Sequence, residues 1–145
     1  MSKNTPVINP NTGDHCFGLI PYISVGHEEF EAGMIQLREG KHFINSNGGF
    51  GVDHIWQRHR KEIEPLGYTT RADVAQFVAD LIVTGTPIYC EFKDMRGNHK
   101  LTVVRSSNGI AVLEKKYTAS NEVVYSVVTA FPNGKAHGTR IGSVG

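Results

Sequence analysis

Apolar residues recur at helical spacing in two segments of the N-terminal half of the chain. From His27 to Arg38 the apolar positions lie four and three residues apart, which predicts one face of a helix that Gly40 would end. A turn-rich loop from Asn45 to Gly51 follows, and Asp53 could cap a second helix that runs to about Ile63. The first of these helices would bury Phe30, Met34 and Leu37.

A third predicted helix carries the strongest apolar stripe in the sequence. Thr69 or Thr70 could cap its start, and Gly85 would close it. Spacings of three and four residues place its apolar side chains on one face, as in a helix that packs on a core. Those side chains are Val74, Phe77, Val78, Leu81 and Ile82.

After Pro87 the pattern changes to alternation and β-branched runs. Short turn-forming connections separate four such segments, which predicts an antiparallel four-stranded meander. The segments are Ile88–Lys93, Lys100–Arg105, Ile110–Tyr117 and Glu122–Phe131. Helices followed by strands is the order of an α+β domain, with two or three N-terminal helices packed on one face of the sheet.

The two ends of the sequence lack a sustained hydrophobic period. Residues 1–26 contain several prolines and glycines, which predicts an irregular N-terminal arm that packs over the domain or trails from it. Residues 27–135 would form the single α+β domain, as expected for a chain of 145 residues. Residues 136–145 are predicted to form a flexible tail.

Composition and charge exclude several classes of protein. Hydrophobic residues make up 39% and charged residues 20%, as in ordinary soluble domains, and no apolar run approaches the roughly 18 residues of a membrane helix. A net charge of +1 gives no general attraction to nucleic acid, so such a partner needs a local basic patch. Cys16 and Cys90 do not form a zinc knuckle or a CxxC motif, so free thiols are predicted. The N-terminus lacks a secretory signal, although the chain could be the excised end of a longer exported protein.

The segment GGFGVDHIWQRH places glycines directly before a predicted helix with two histidines. At about 100 degrees per residue, His54 shares an outward polar strip with Arg58 and Lys61, whereas His59 falls in the apolar arc and points inward. His59 is then either a core imidazole bonded to a carbonyl or a proton-transfer group, and His54 is either a solvated surface residue or its partner. Zinc has less support, because positions i and i+5 do not share a helical face. The glycines do not form a P-loop, but an open helix start beside His54 could attract a phosphodiester.

The last predicted strand and several cations offer further phosphate-binding groups. Simple alternation predicts one face with a phenol and a hydroxyl, made of Tyr125, Val127, Thr129 and Phe131. The alternative is that Thr129 is a good strand former and Tyr125 an amphipathic core residue. The available cations could equally form a solvated face; they are Arg58, Arg60, Lys61, Lys115, Lys116 and Lys135.

Helices before a four-stranded antiparallel sheet, the helix HIWQRH and the final strand YSVVTAFP resemble the superfamily of barnase, EndoU, colicin tRNases and RelE, the BECR fold. The chain is similar in particular to the toxin modules of this group in phage proteins and at the C-termini of contact-dependent or polymorphic toxins. The similarity covers about residues 48–135. It implies a nuclease-like domain that cleaves RNA, often tRNA, without a metal, by attack of the 2'-hydroxyl to leave a cyclic phosphate.

The resemblance also implies roles for individual residues. A histidine of the helix would transfer protons, and either His54 or His59 fits that position. Contacts to the scissile phosphate would come from Arg58, Thr129 and Tyr125. Further substrate contacts are expected from Lys61, Lys115 and Lys135.

No cofactor or metal is expected for such an enzyme. Its expected partners are RNA and a cognate immunity protein or antitoxin, rather than a membrane, and it would act in the cytoplasm of the producing or the target bacterial cell. A non-catalytic binding or adaptor module of a phage or secreted protein is the alternative function. A metal-dependent nuclease is a weaker alternative, which a chelator would silence.

Overall fold

A computed structural model describes residues 2–46, 48–92, 101–105, 109–134 and 138–145. Within these ranges the chain forms two α-helices and eleven strands, together with two 3-10 turns. In chain order the elements are β1 (Leu19–Ile20), β2 (Ile23–Val25), β3 (Glu28–Phe30), β4 (Gly33–Gln36), β5 (Lys41–Phe43), β6 (Gly48–Phe50), α1 (Gly51–Ile63), α2 (Val74–Leu81), β7 (Pro87–Cys90), β8 (Leu101–Arg105), β9 (Gly109–Tyr117), β10 (Val123–Phe131) and β11 (Thr139–Ser143).

Seven of the strands form one mixed sheet in the order β1-β4-β10-β9-β8-β7-β11. The four strands β7 to β10 pair antiparallel in succession. β4 lies parallel to β10, β1 pairs antiparallel with β4, and β11 pairs antiparallel with β7. The α+β class is therefore confirmed, but the sheet is wider than predicted and mixed, because segments from both ends of the chain extend it.

Both helices contribute buried side chains to the hydrophobic core, which they form together with the sheet. α1 makes its most extensive contacts with β10. Each fully buried aliphatic side chain in such a core contributes about 1.5–3 kcal/mol to stability. The core includes Ile35, Leu37, Ile55, Ile63, Leu81, Ile88, Leu113 and Tyr125.

The predicted helix from His27 to Arg38 is wrong, because this segment forms β3 and β4. Gly33 lies so close to the backbone of Val123 that a Cβ there would be 2.6 Å from its carbonyl oxygen. Ile35 and Leu37 are both fully buried, which is the two-residue period of a strand. Pairing with a strand ninety residues further along the chain thus outweighed the helical spacing of the apolar residues.

The second predicted helix is confirmed as α1, but its cap differs from the prediction. Phe50 stands at the N-cap position and makes no side-chain cap hydrogen bond. Asp53, the predicted cap, instead accepts the backbone N–H of His42 through Oδ2 at 2.9 Å. Its carboxylate therefore ties strand β5 to the first turn of α1.

The third predicted helix is confirmed as α2. The hydroxyl of Thr70 accepts the backbone N–H of Asp73, and the carboxylate of Asp73 accepts the backbone N–H of Thr70. This reciprocal capping box opens a 3-10 turn, Arg71–Asp73, that leads directly into the helix. Ile82, in an extended conformation, ends α2 before Gly85.

Both ends of the chain are more ordered than predicted. The arm of residues 1–26 packs over the domain: Phe17, Ile20 and Ile23 are buried in the core, and β1 extends the sheet. The prediction of a flexible tail at residues 136–145 is wrong for the described part, 138–145, because β11 pairs with β7 and Val144 is buried. Residues 136 and 137 lie outside the described residues. None of the described helices is long and apolar enough to cross a lipid bilayer.

Candidate active site

Strand β10 contributes hydroxyl side chains to the sheet face opposite the core. Directly opposed residues of paired strands point to the same face, and Ser126 is opposed by Gln36 of β4 and Glu114 of β9. The register shifts between Val127 and Thr129, which marks a β-bulge. A bulge adds one residue to a strand and so changes which residues alternate together.

The bulge overturns the prediction that Tyr125, Val127, Thr129 and Phe131 share one face. Tyr125, Val127 and Ala130 all belong to the hydrophobic core. Thr129 and Phe131 oppose Val112 and Ile110 of β9, which alternate with the core residues Ala111 and Leu113. They therefore lie with Ser126 on the face opposite the core, which we call the site face. A phase change of this kind cannot be derived from an alternating sequence pattern.

His59 lies where α1 meets the end of β10. Its Nδ1 is 2.9 Å from Oε1 of Glu62, one helical turn on, and its ring packs against Phe131 with 5.1 Å between ring centroids. The residue is 9% exposed, so the predicted inward orientation is confirmed. A carboxylate at Nδ1 favours the tautomer that carries its proton there and leaves a lone pair on Nε2. His59 is thus held in a form that can accept a proton. Sequence analysis missed Glu62, although its i, i+3 spacing was visible.

His54 forms a pair with His42 that the sequence did not suggest. The two Nδ1 atoms are 3.0 Å apart, so one ring donates its proton to the other. His54 is only 4% exposed, and the prediction that it points outward is wrong because the β5–β6 hairpin covers that side of α1. The turn-rich sequence between two short apolar segments was the available signal for this hairpin.

The surroundings of His54 favour the neutral imidazole. Desolvation by burial lowers the pKa of His54, and the positive charges of His42, His59 and Arg58 lower this pKa further. A hydrogen bond with the backbone of Gly48 acts in the opposite direction and raises it. The neutral form of His54 is therefore favoured, and the Nδ1 proton of one ring lies between the two rings.

This lowered pKa makes stability depend on pH. In the unfolded chain His54 has its ordinary pKa of 6.5, and in the folded protein the value is lower. Below about pH 6.5 the unfolded chain then binds more protons than the folded one, so the free energy of unfolding falls as the pH drops through that window. In urea titrations from pH 7 to pH 5, H54Q should show a smaller loss of stability than the parent protein. The exposed His27 gives the matched control, and an equal pH slope in parent protein and H54Q would contradict the assignment.

The start of α1 is closed by backbone carbonyls. The N–H of Val52 donates to the carbonyl of Arg38 at 3.0 Å, and the N–H of Asp53 donates to the carbonyl of Glu39 at 2.9 Å. These amides are therefore occupied and cannot bind an anion. The prediction of an open, phosphate-attracting helix start beside His54 is wrong.

Arg38 supplies a fixed positive charge on the site face. Its Nε donates to Oγ of Ser126 at 2.9 Å, its Nη1 donates to Oδ1 of Asn4 at 3.0 Å, and its guanidinium lies 4.2 Å from the centre of the Phe50 ring. Desolvation lowers the pKa of Arg38 and the nearby carboxylate of Glu114 raises it, but a guanidinium stays protonated in proteins. Arg38 escaped sequence analysis because its segment was assigned to a helix.

The cations predicted to contact the substrate lie on other elements than Arg38. Arg58 and Lys61 are exposed on α1, and the charge of Arg58 reaches His54. Lys115 is ion-paired with Glu31 at 3.0 Å, on the strand face that carries the core residues. Lys135 lies outside the described residues.

Tyr125 has a structural role in the fold. Its side chain is buried in the core, and its hydroxyl donates to the backbone carbonyl of Glu31 at 2.7 Å. Removing this hydroxyl in Y125F should lower the free energy of unfolding by about 1 kcal/mol, the usual value for one hydrogen bond. Urea titrations of Y125F and the parent protein measure the difference, and a Y125F protein as stable as the parent would contradict this structural role.

Thr129 presents a hydroxyl without a partner among the described residues. Its Oγ1 is buried and makes no hydrogen bond. A buried hydroxyl without a partner is unfavourable by about 1–3 kcal/mol, so it calls for an explanation, of which a catalytic role is one. Thr129 lies on the site face between Ser126 and the Phe131 ring that supports His59.

The candidate site thus has two parts. The site face carries the hydroxyls of Ser126 and Thr129, the Arg38 guanidinium and the Phe131 ring against which His59 packs. The His42–His54 pair lies between the β5–β6 hairpin and α1. Among the residues that the structure describes, no group of three or more His, Cys, Asp or Glu side chains is placed to hold a metal ion. No family model, curated protein or solved structure matches the chain. The chemistry available at these side chains is proton transfer and anion binding.

Proposed function

We propose that the protein is an endoribonuclease that cleaves RNA without a metal ion, by attack of the 2'-hydroxyl on the adjacent phosphate. The observation that carries the proposal is the position of His59, with Nδ1 bound to Glu62 and its ring against the last strand. The same helix carries His54, which is paired with His42. Two proton-transfer groups and a fixed cation are what this reaction requires.

In the proposed reaction one imidazole centre accepts the proton of the 2'-hydroxyl. The 2'-oxygen then attacks phosphorus, the bond from phosphorus to the 5'-oxygen breaks, and the other centre protonates that oxygen. We assign the first role to Nε2 of His59, because Glu62 holds the proton on Nδ1. The products are a 2',3'-cyclic phosphate and a free 5'-hydroxyl.

Arg38 and Thr129 are the proposed phosphate ligands. Arg38 is already held by Ser126 and Asn4, so little conformational freedom is lost when it binds a phosphate oxygen. The unpartnered hydroxyl of Thr129 could donate to the same phosphate as negative charge develops. Arg38 takes the place that sequence analysis assigned to Arg58.

The order of helices and the succession β7 to β10 support a BECR-like architecture as part of the same proposal. Transfer RNA is then one candidate substrate, and a cognate immunity protein or antitoxin is the candidate protein partner. Action in the bacterial cytoplasm belongs to the proposal as well.

Incubation of the purified protein with total RNA in excess EDTA tests this function. Discrete cleavage products in the presence of chelator are expected, since no step uses a metal. Intact RNA with and without added Mg²⁺ would favour a non-catalytic binding module, and cleavage that EDTA abolishes would favour a metal-dependent nuclease.

A further inference from the structure

One side of the β5–β6 hairpin carries a row of alternating cationic and aromatic side chains. The guanidinium of Arg38 lies over Phe50, and Phe50 is directly opposed across the hairpin by Lys41. The ammonium of Lys41 lies 5.6 Å from the centre of the Phe43 ring. Opposed residues, and residues two apart in a strand, share a face, so these four side chains lie on the same side of the hairpin. We call them the hairpin row.

The two sides of the hairpin differ in their surroundings. His42 alternates with the row and points towards α1, where it meets His54. The row faces the other way, and its outer end is open: Phe43 is 44% exposed and the next residue, Ile44, is 85% exposed. A large aromatic ring beside a cation at a strand end is thus available to a ligand.

The inner end of the row joins the candidate active site. Arg38 belongs both to the row and, through its hydrogen bond to Ser126, to the site face. A ligand that lies along the row from Phe43 therefore reaches the proposed phosphate ligand. Its backbone must carry negative charge to match Arg38 and Lys41, and its flat groups must be free to stack on an exposed ring.

We propose that the hairpin row binds an unpaired stretch of RNA, with one base stacked on Phe43 and phosphates at Lys41 and Arg38; this deepens the proposed ribonuclease function and rests on it. Aromatic rings alternating with cations bind single strands, because every base has a face to stack and every linkage a charge. Bases inside a duplex are stacked on each other and cannot use such a ring. The substrate would then be cleaved in a loop, a bulge or a single-stranded end.

Binding of a labelled single-stranded 2'-O-methyl RNA oligonucleotide, followed by fluorescence anisotropy, tests this inference. The oligonucleotide has no free 2'-hydroxyl, so binding is measured apart from cleavage. F43A should weaken binding by about 5- to 100-fold, the usual effect of one lost stacking contact. F43W keeps an aromatic ring at this position and should bind like the parent protein. K41A should weaken binding and reduce the slope of log K against log salt by about 0.7.

Tyr117 provides a matched control. It is also an exposed aromatic residue with a lysine ammonium over its ring, that of Lys115 at 5.1 Å, but it lies on β9, which pairs with β8 and β10 and not with the hairpin. Y117A should bind the oligonucleotide like the parent protein. Equal losses of affinity in F43A and Y117A, or no loss in F43A, would overturn the inference. The inference would also be overturned if F43A lost as much affinity for a duplex of the same sequence as for the single strand. If the parent protein cleaved no RNA but F43A still weakened binding, RNA binding by the hairpin row would be supported and only the ribonuclease function would be overturned.

Discussion

H59Q is expected to cleave RNA about 10²- to 10⁴-fold more slowly than the parent protein, the usual contribution of one proton-transfer group. Glutamine has nearly the size of histidine and can still bond to Glu62, but it cannot accept a proton at neutral pH. The rate should be measured on one defined RNA in EDTA, with enzyme in excess, so that the chemical step is observed. Urea unfolding of the same preparations checks that the loss is not due to unfolding.

Controls separate catalysis from general effects of histidine replacement. H27Q changes an exposed histidine outside the site and should leave the rate unchanged. E62Q should give a smaller loss than H59Q together with a changed pH–rate profile, because Glu62 positions His59 and sets its tautomer. If H59Q and H42Q both cleaved at the parent rate, the active site would have to lie elsewhere.

G49A is expected to lower the free energy of unfolding by roughly 3 kcal/mol, the largest stability effect in the account. Gly49 has a φ of 137°, which residues other than glycine rarely adopt, and a Cβ there would collide with the carbonyl oxygen of Lys41. The same Cβ would lie 2.9 Å from Cα of His42 and 3.0 Å from Nδ1 of His54. The substitution should therefore push the hairpin away from α1 and separate the two imidazoles.

Gly67 gives the matched control for G49A. Its φ of 104° is also positive, but a Cβ at this position would meet nothing within 4 Å. G67A should thus show only the backbone strain, about 1–2 kcal/mol. Urea titrations of both variants measure the difference, and a G49A protein no less stable than G67A would contradict the close approach of hairpin and helix. RNA cleavage should fall in G49A under conditions where it remains folded and should persist in G67A.

Local patterns were sufficient to predict α1, α2 and the segments that form β7 to β10. The apolar stripe of α2 and its threonine cap are both visible within a short segment, and the backbone hydrogen bonds of a helix join residues of that same segment. The segment of β4 could not be assigned correctly from such patterns. Its conformation depends on parallel pairing with β10. The helical spacing of Phe30, Met34 and Leu37 arises by chance, and the sequence of this segment alone does not show that it pairs with a distant strand.

The candidate site was predictable in part for the same reason. His59 faces inward because of the helical period alone. His54 was misplaced because the covering hairpin lies outside that helix, and Thr129 was placed on the wrong face because the bulge interrupts alternation. Arg38 and His42 reach the site through long-range packing, which neither motif nor period displays. Their place in the site is visible only once the relative positions of β4, β5 and β10 are known.

The most direct test of the account is the chemistry of the ends produced from one short RNA of defined sequence in EDTA. Mass spectrometry of the parent digest should find a 2',3'-cyclic phosphate on one fragment and a 5'-hydroxyl on the other, and H59Q should form both fragments about 10²- to 10⁴-fold more slowly. Fragments ending in a 3'-hydroxyl and a 5'-phosphate, or cyclic-phosphate products formed equally well by H59Q, would contradict imidazole-driven attack by the 2'-hydroxyl.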